Sequence, residues 1–267
     1  MEEKVSIILP AYNSEDFIGE AITSVLNQTH TDWELIIIND GSTDATEKKI
    51  RCFYDPRVTY IYQTNQGVSA ARNSGLKIMN GNFFCFLDAD DVLPPGSLKD
   101  RLKIFAIFPD TNFVDGGVMV FDKDMSKILK TWYPAYQGSP FEELLRISES
   151  CFFGPTWMIR RQPLIHYSFD TGLTHGEDYY FYLSIAKSGI YRNTQKIIYH
   201  YRKTKSSAMS NLDALEKGYF TILNHLQQQL KTNRADTGAF RQKIKSIMFK
   251  SWIAKGNLYR ATKVWFK

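Results

Sequence analysis

Residues 5–51 read VSIILPAYNSEDFIGEAITSVLNQTHTDWELIIINDGSTDATEKKIR, and this stretch decides the fold. Val5 to Leu9 is a short apolar run of the kind found in a buried strand. In Ser14 to Gln28, the side chains Phe17, Ile18, Ala21, Ile22, Val25 and Leu26 fall on one helical face. Trp33 to Ile38 is a second apolar run, broken by Asn39-Asp40-Gly41-Ser42, and Asp44 to Arg51 reads as a helix capped near Ser42 or Asp44. Outward from there the pattern repeats. Val58 to Tyr62 is a strand, and Val68 to Met79 is a helix stopped by Asn80-Gly81. Phe83 to Leu87 is a strand that runs into Asp88-Ala89-Asp90-Asp91. Strands alternating with helices predict an α/β domain with a largely parallel sheet. In such sheets ligands bind beyond the carboxyl ends of the strands. Those ends carry Pro10-Ala11-Tyr12-Asn13, Asn39-Asp40-Gly41-Ser42 and Asp88-Ala89-Asp90-Asp91, so polar side chains gather where a site is expected.

The second half is less regular. Ser97 to Phe108 is helical, and Phe113 to Phe121 pairs with Ile128 to Trp132 across the turn at Asp122 to Ser126. Glu177 to Lys187 is a helix, Ile197 to Tyr201 a strand, Lys203 to Asn211 a polar loop and Leu212 to Leu230 a helix. Residues from about 212 onward read as an appendage to the sheet domain.

Composition excludes several classes. With 18 Phe, 15 Tyr and 5 Trp in 267 residues, the chain is not intrinsically disordered. Cys52, Cys85 and Cys151 are an odd, widely spaced set without a CxxC, which excludes a disulfide scaffold and points to a reducing interior. No apolar run reaches the length of a membrane span, and MEEKVSIILP lacks the basic region of a secretory signal. The net charge of +5 is unevenly placed: Arg241 to Lys267 holds eight Lys/Arg and no Asp/Glu, leaving the first 240 residues slightly acidic. A nucleic-acid binder is not built this way. A basic end suits an anionic surface, most simply phospholipid. Ile244, Ile247, Met248 and Trp252 recur at helical spacing among its lysines, with Trp265 and Phe266 beyond. This segment either lies on a bilayer or docks on the chain's own domain.

Asp88 and Asp90 flank one residue at a strand end, so they repel unless a hard divalent cation relieves them. The plainer reading is an acidic turn. Asp40 accepts a hydrogen bond from a base or ribose, or forms an Asx turn with Gly41. Asp44 reads as a simple helix cap. Arg72, after Ala70-Ala71, pairs with a carboxylate or phosphate, or is solvated. Glu177 and Asp178 follow Gly176 at a helix start, where they act either as dipole partners or as a general base for an acceptor hydroxyl. A lone histidine on a strand, such as His200, is more often structural than a ligand. Arg202, Lys203 and Lys205, with the serines that follow, suit a diphosphate or an ordinary surface loop. No GxSxG, P-loop, HExxH or GxGxxG is in place, so hydrolase-triad, Walker-type and dinucleotide readings lose support.

The segments VSIILPAYNSEDFIGEAITSVLNQTHTDWELIIINDGSTDAT, NQGVSAARNSGL, FLDADD and GEDYYFYLSIAKSG occur in an order that resembles the inverting family-2 glycosyltransferases of the GT-A fold, over roughly residues 4 to 210. The resemblance implies an α/β, Rossmann-like mixed sheet flanked by helices. Residues 1–210 would form the transferase domain (1–110 for the nucleotide-sugar, 111–210 for the acceptor), and residues 211–267 a helical, basic extension. It implies a UDP-sugar donor, a glycan or lipid-linked acceptor and a Mn²⁺ or Mg²⁺ cofactor. Carried over, Pro10, Ala11 and Tyr12 line the uracil pocket, Asp40 contacts the base and Arg72 braces the site. Asp88 faces the ribose or sugar, and Asp90 ligates the metal. Asp178 is the catalytic base, with Glu177 beside it on the donor sugar or acceptor. His200 falls where some members have a metal or diphosphate ligand, and Arg202 begins the loop, to Ser210, that closes over the diphosphate. The enzyme would be cytoplasmic, peripheral on the inner face of the plasma membrane through residues 241–267, and part of bacterial surface polysaccharide assembly. Two rivals remain open: a nucleotidyltransferase, and a non-catalytic nucleotide-sugar-binding component of an assembly complex.

Overall fold

The computed structural model describes residues 3–204, 211–229 and 234–266. In chain order the elements are β1 (Val5–Ala11), α1 (Ile18–Leu26), β2 (Trp33–Asp40), α2 (Thr46–Ile50), β3 (Val58–Gln63), α3 (Val68–Ile78), β4 (Phe83–Phe86), α4 (Ser97–Ile107) and β5 (Thr111–Phe121). They continue as β6 (Ile128–Trp132), α5 (Phe141–Leu145), β7 (Met158–Arg160), α6 (Glu177–Ile185), β8 (Ile190–Arg202), α7 (Leu212–Gln229), α8 (Arg234–Ala254) and α9 (Leu258–Trp265).

One sheet runs in the order β3-β2-β1-β4-β7-β5-β6, with β8 paired to β5. Strands β1 to β4 are mutually parallel, as their alternation with helices predicts. The sheet becomes mixed at β7, which lies antiparallel between β4 and β5. β7 is only three residues long, too short to leave a periodic mark in the sequence.

Strands β1 and β4 are buried along their whole length because helices cover both faces. Alternation sends Ile7 and Leu9 into one core with Ile22 of α1 and Leu102 of α4. It sends Ile8 into the other, with Ala71 of α3, Phe181 of α6, Ile222 of α7 and Met248 of α8. Each fully buried aliphatic side chain contributes about 1.5–3 kcal/mol to this packing. Helix α3 lies especially close to the sheet: a Cβ on Gly75 would sit 2.5 Å from Ile8 Cγ2. The glycine lets the helix descend, and that brings Arg72, one turn earlier, down to the strand ends.

The apolar stripe expected on the basic end is spent on the protein. Ile244, Met248 and Trp252 of α8 are buried in the core shared with α6 and α7. The Trp252 indole donates to Glu216 Oε2 at 2.7 Å. That face therefore docks on the chain itself and is not open to a bilayer. Among the described residues, no helix is long and apolar enough to cross a membrane.

Candidate active site

Two elements deliver acidic side chains to the carboxyl end of the sheet. The turn after β4 carries Asp88, Asp90 and Asp91, and the first turn of α6 carries Glu177 and Asp178. Gly176 precedes them with a left-handed φ of 74°, which turns the chain sharply into α6. Arg72 of α3 joins the two groups. Its NH2 lies 2.8 Å from Asp88 Oδ1 and its NH1 lies 3.1 Å from Glu177 Oε1. Together they line a cavity of about 490 Å³ with Asp90, Asp178, Tyr201, Tyr219 and the loop through Phe152 and Phe153.

The charges in this cavity do not cancel. Asp88, Glu177 and Asp178 act on the guanidinium of Arg72, and Asp90 adds a fourth carboxyl group to the cavity wall. Burial, the neighbouring Glu177 and the nearby Asp88 push Asp178 up to about 7, against the opposing pull of Arg72 and the Tyr179 N–H. Tyr179 N donates to Asp178 Oδ1 at 2.6 Å, which orients the carboxyl. Burial and Asp88 raise Asp90 to about 6. Asp178 thus sits near neutrality, where a proton acceptor works best at cellular pH.

The third aspartate of the turn is structural. Asp91 is buried and accepts from Arg202 N at 2.7 Å. Its carboxyl also meets the Tyr199 hydroxyl, to which Asp88 N donates at 3.2 Å. Tyr199 of β8 thereby fixes the turn that presents Asp88 and Asp90.

Other expected site residues are placed differently. His200 does not join Asp90. It faces a separate groove with Glu20, Thr23 and Val92 to Pro95, and its ring packs against Phe121 at 5.0 Å. Along β8, Tyr199 and Tyr201 face the acidic cavity while His200 is turned to the other side. Burial holds its imidazole below the usual range. Arg202 is likewise committed to protein. Its Nε donates to Asp90 O at 2.7 Å, NH1 to Lys123 O at 2.6 Å and NH2 to Glu20 Oε2 at 2.7 Å. With its side chain buried, it clamps the β4 turn to α1 and does not face the cavity. Residues 205–210 of the expected diphosphate loop, including Lys205, lie outside the described residues.

Asp40 is buried and turned into the loop after β3. It accepts from Gln63 Nε2 at 2.7 Å, Gln66 N at 3.0 Å and Gly67 N at 2.8 Å. The structure gives it a loop-holding role in place of an Asx turn. The neighbouring Asn39 holds the loop after β2, accepting from Ser42 N at 3.0 Å. Asp44 stands one residue before the N-cap position, Ala45, which has no side-chain cap, and accepts from Thr46 N at 2.9 Å. Pro10 and Ala11 are buried at the end of β1, while Tyr12 is exposed just beyond them. None of the three lines the acidic cavity.

Among the described residues, no cluster of three or more His, Cys, Asp or Glu is arranged to hold a metal by itself. The donor set nevertheless fits a hard dication that brings its other ligands with it. Asp88 and Asp90 offer carboxylate oxygens, and Mg²⁺-type ions are commonly held by one or two carboxylates plus substrate phosphates.

Residues 6–168 match the sequence profile described as glycosyl transferase family 2. The chain belongs to glycosyltransferase family 2. It is 34% identical over 212 residues to the Escherichia coli UDP-Glc:alpha-D-GlcNAc-diphosphoundecaprenol beta-1,3-glucosyltransferase WfgD, covering 78% of this chain and 80% of that one. It is 29% identical over 230 residues to E. coli chondroitin synthase, covering 85% of this chain but 33% of that one. Among solved structures it superposes on Staphylococcus aureus TarS 1-349 in complex with UDP-GlcNAc with a TM-score of 0.65. That match has 19% identity and covers 93% of this chain and 72% of that one. It also superposes on the mannosyltransferase PcManGT of Pyrobaculum calidifontis, in complex with GDP-Man and Mn²⁺. There the TM-score is 0.63 at 18% identity, covering 99% of this chain and 74% of that one. The mixed sheet with flanking helices is the GT-A fold.

In this glycosyltransferase, part of the cavity wall was not legible beforehand. Phe152 and Phe153 come from a loop with no periodic signal, and Leu215 and Tyr219 come from α7. A signal was present for α7: its apolar spacing needs a surface to cover, and that surface is the floor under Asp178. Burial, with Asp178 nearby, raises the Tyr219 hydroxyl to about 12, so it stays protonated in the cavity wall.

Proposed function

We propose that the chain transfers a hexose or N-acetylhexosamine from a UDP-sugar to a hydroxyl of a glycan or lipid-linked acceptor, with inversion at the anomeric carbon, in bacterial surface polysaccharide synthesis. The observation that carries this reading is the convergence of Asp88, Asp90, Glu177 and Asp178 around Arg72 in one cavity. The similarity to a glucosyltransferase whose name specifies UDP-Glc and a GlcNAc-diphosphoundecaprenol acceptor supports a glucose donor and a polyprenyl-diphosphate acceptor. A lipid-linked acceptor puts the enzyme in the cytoplasm, at the inner face of the membrane.

The acceptor hydroxyl is a weak nucleophile, so a base must take its proton as the oxygen attacks. Asp178, at the start of α6 and raised to about 7, is that base. A single displacement leaves no need for a covalent protein intermediate. Glu177, held by Arg72, is fixed beside it to accept from a sugar hydroxyl. Asp88 and Asp90 would hold Mn²⁺ or Mg²⁺, which supplies positive charge to the departing diphosphate. The donor is held by residues 1–110, with Tyr12 the exposed ring for the base and Asp40 shaping the loop around it. Residues 111–210 hold the acceptor.

A donor panel tests the reading. Incubation with UDP-glucose, UDP-N-acetylglucosamine and GDP-mannose in Mn²⁺ should give slow, metal-dependent donor hydrolysis from a UDP-sugar. Hydrolysis of nucleoside triphosphates in its place would refute it.

A further inference from the structure

Helix α9 has two unlike faces. Ala261 and Val264 are buried at 0% and 1% exposure, whereas Leu258, Tyr259, Trp265 and Phe266 are exposed at 64%, 72%, 50% and 91%. At 3.6 residues per turn, positions 258, 259, 262, 263, 265 and 266 fall in one arc of about 160°. An apolar, largely aromatic surface of this kind on a soluble face marks an interaction site. Lys263 is exposed within the arc, and exposed Lys250 and Ile253 lie on the neighbouring α8. No Asp or Glu occurs between Arg241 and Lys267.

The helix is held firmly. Arg260 pairs with Asp213, lies 3.7 Å from Glu216 Oε2 and covers the Trp252 ring at 4.7 Å. Lys245 Nζ donates to Trp265 O at 2.9 Å, and Trp265 meets Phe249 edge to face at 5.8 Å. These contacts tie α9 to α8 and to the start of α7, the helix whose Leu215 and Tyr219 line the acidic cavity.

We infer that the outer face of α9 docks on an anionic phospholipid bilayer, with Leu258, Tyr259, Trp265 and Phe266 in the interface and Lys263 and Lys250 against the headgroups. Charge chooses the occupant. An acid-free, lysine-bearing face repels its own copy, whereas anionic headgroups attract it and the interface suits Trp and Tyr. Docking there sets the cavity, one helix away, beside the surface from which a lipid-linked sugar projects. That orientation rests on the acceptor reading given above, while the docking itself does not. Of the apolar side chains the sequence offers in this segment, Ile244, Met248 and Trp252 are buried, while Trp265 and Phe266 are exposed on this surface.

The test is co-sedimentation of the full chain with vesicles of phosphatidylcholine alone or mixed with phosphatidylglycerol. Partitioning should be roughly tenfold stronger on the anionic vesicles. The paired substitution Tyr259→Ser and Phe266→Ser should lower it by roughly tenfold or more, with an unchanged thermal melt. Lys263→Glu should weaken binding to the anionic vesicles only. Wild-type protein left in the supernatant, or variants that bind as well as wild type, would overturn the inference. So would light scattering that shows a lipid-free dimer abolished by the paired substitution. Transfer to a soluble, short-chain acceptor should be unaltered in the paired variant. If vesicles bind but no donor is ever consumed, the transferase reading fails and the docking stands.

Discussion

Arg72 and Glu177 stand 105 positions apart in the chain, and their side chains meet at 3.1 Å inside the protein. The same guanidinium holds Asp88 at 2.8 Å, so one buried cation joins the β4 turn to the start of α6. Its Nε is buried and has no hydrogen-bond partner among the described residues. The group is held by its two carboxylates and by the aromatic rings of Phe169 and Phe86, at 5.1 and 5.9 Å. Removing it leaves four carboxyl groups facing one another. Arg72→Ala should destabilise the fold by roughly 3–5 kcal/mol and reduce transfer at least about a hundredfold. Arg72→Lys keeps the charge but not the fork, so it should recover stability more than activity. Thermal denaturation and initial rates on the two variants check this.

Asp178, as the proposed base, should set the pH dependence. Asp178 is raised to about 7, so below that pH most of it is protonated and unable to take the acceptor proton. kcat/KM should therefore rise with pH and level off above roughly 7–8. A profile already flat from about pH 5, where an ordinary aspartate is fully ionised, would show that the cavity does not hold Asp178 as described.

Gly218 marks where α7 meets the turn that leads into α6. A Cβ there would collide with the carbonyl oxygen of His175, two residues before Glu177. Gly218→Ala should lower activity and cost about 1–3 kcal/mol, because backbone gives way less easily than a side chain. Gly238→Ala in α8 is the control. No atom lies within 4 Å of its added Cβ, and helix propensity should make it neutral or stabilising by up to about 1 kcal/mol.

The metal assignment separates two residues of opposite fate. Asp90→Ala should abolish the Mn²⁺-dependent part of UDP binding, while His200→Ala should keep both binding and rate within about twofold. Calorimetric titration of UDP with and without Mn²⁺ decides it. A large loss in the His200 variant would contradict the placement of that ring in the groove beside Glu20.

The acidic residues of the site were legible because each follows the end of a strongly periodic element: the FFCFL run before Asp88, and the helix that begins at Glu177. Arg72 was legible as a polar residue in a small-residue helix that packs close. The direction of side chains on β8 was not. The run Tyr199-His200-Tyr201-Arg202 alternates, but its parity depends on pairing with β5, across a ladder that shifts register more than once. That parity decides that Tyr199 serves the site while His200 and Arg202 turn toward α1. The first half of β8 is polar, with Arg192, Asn193, Thr194 and Gln195, and carries no strand signal. The helices after residue 210 read as an appendage, because nothing local tells that Leu215 and Tyr219 share a cavity with Glu177 and Asp178.

The most direct test of the account is the turnover of Asp178→Asn measured beside its UDP affinity. The substitution keeps the shape and removes the proton acceptor. The account predicts a rate lower by about a thousandfold or more, with UDP and Mn²⁺ binding within about twofold of wild type. A rate within tenfold of wild type would contradict the assignment of Asp178 as the base.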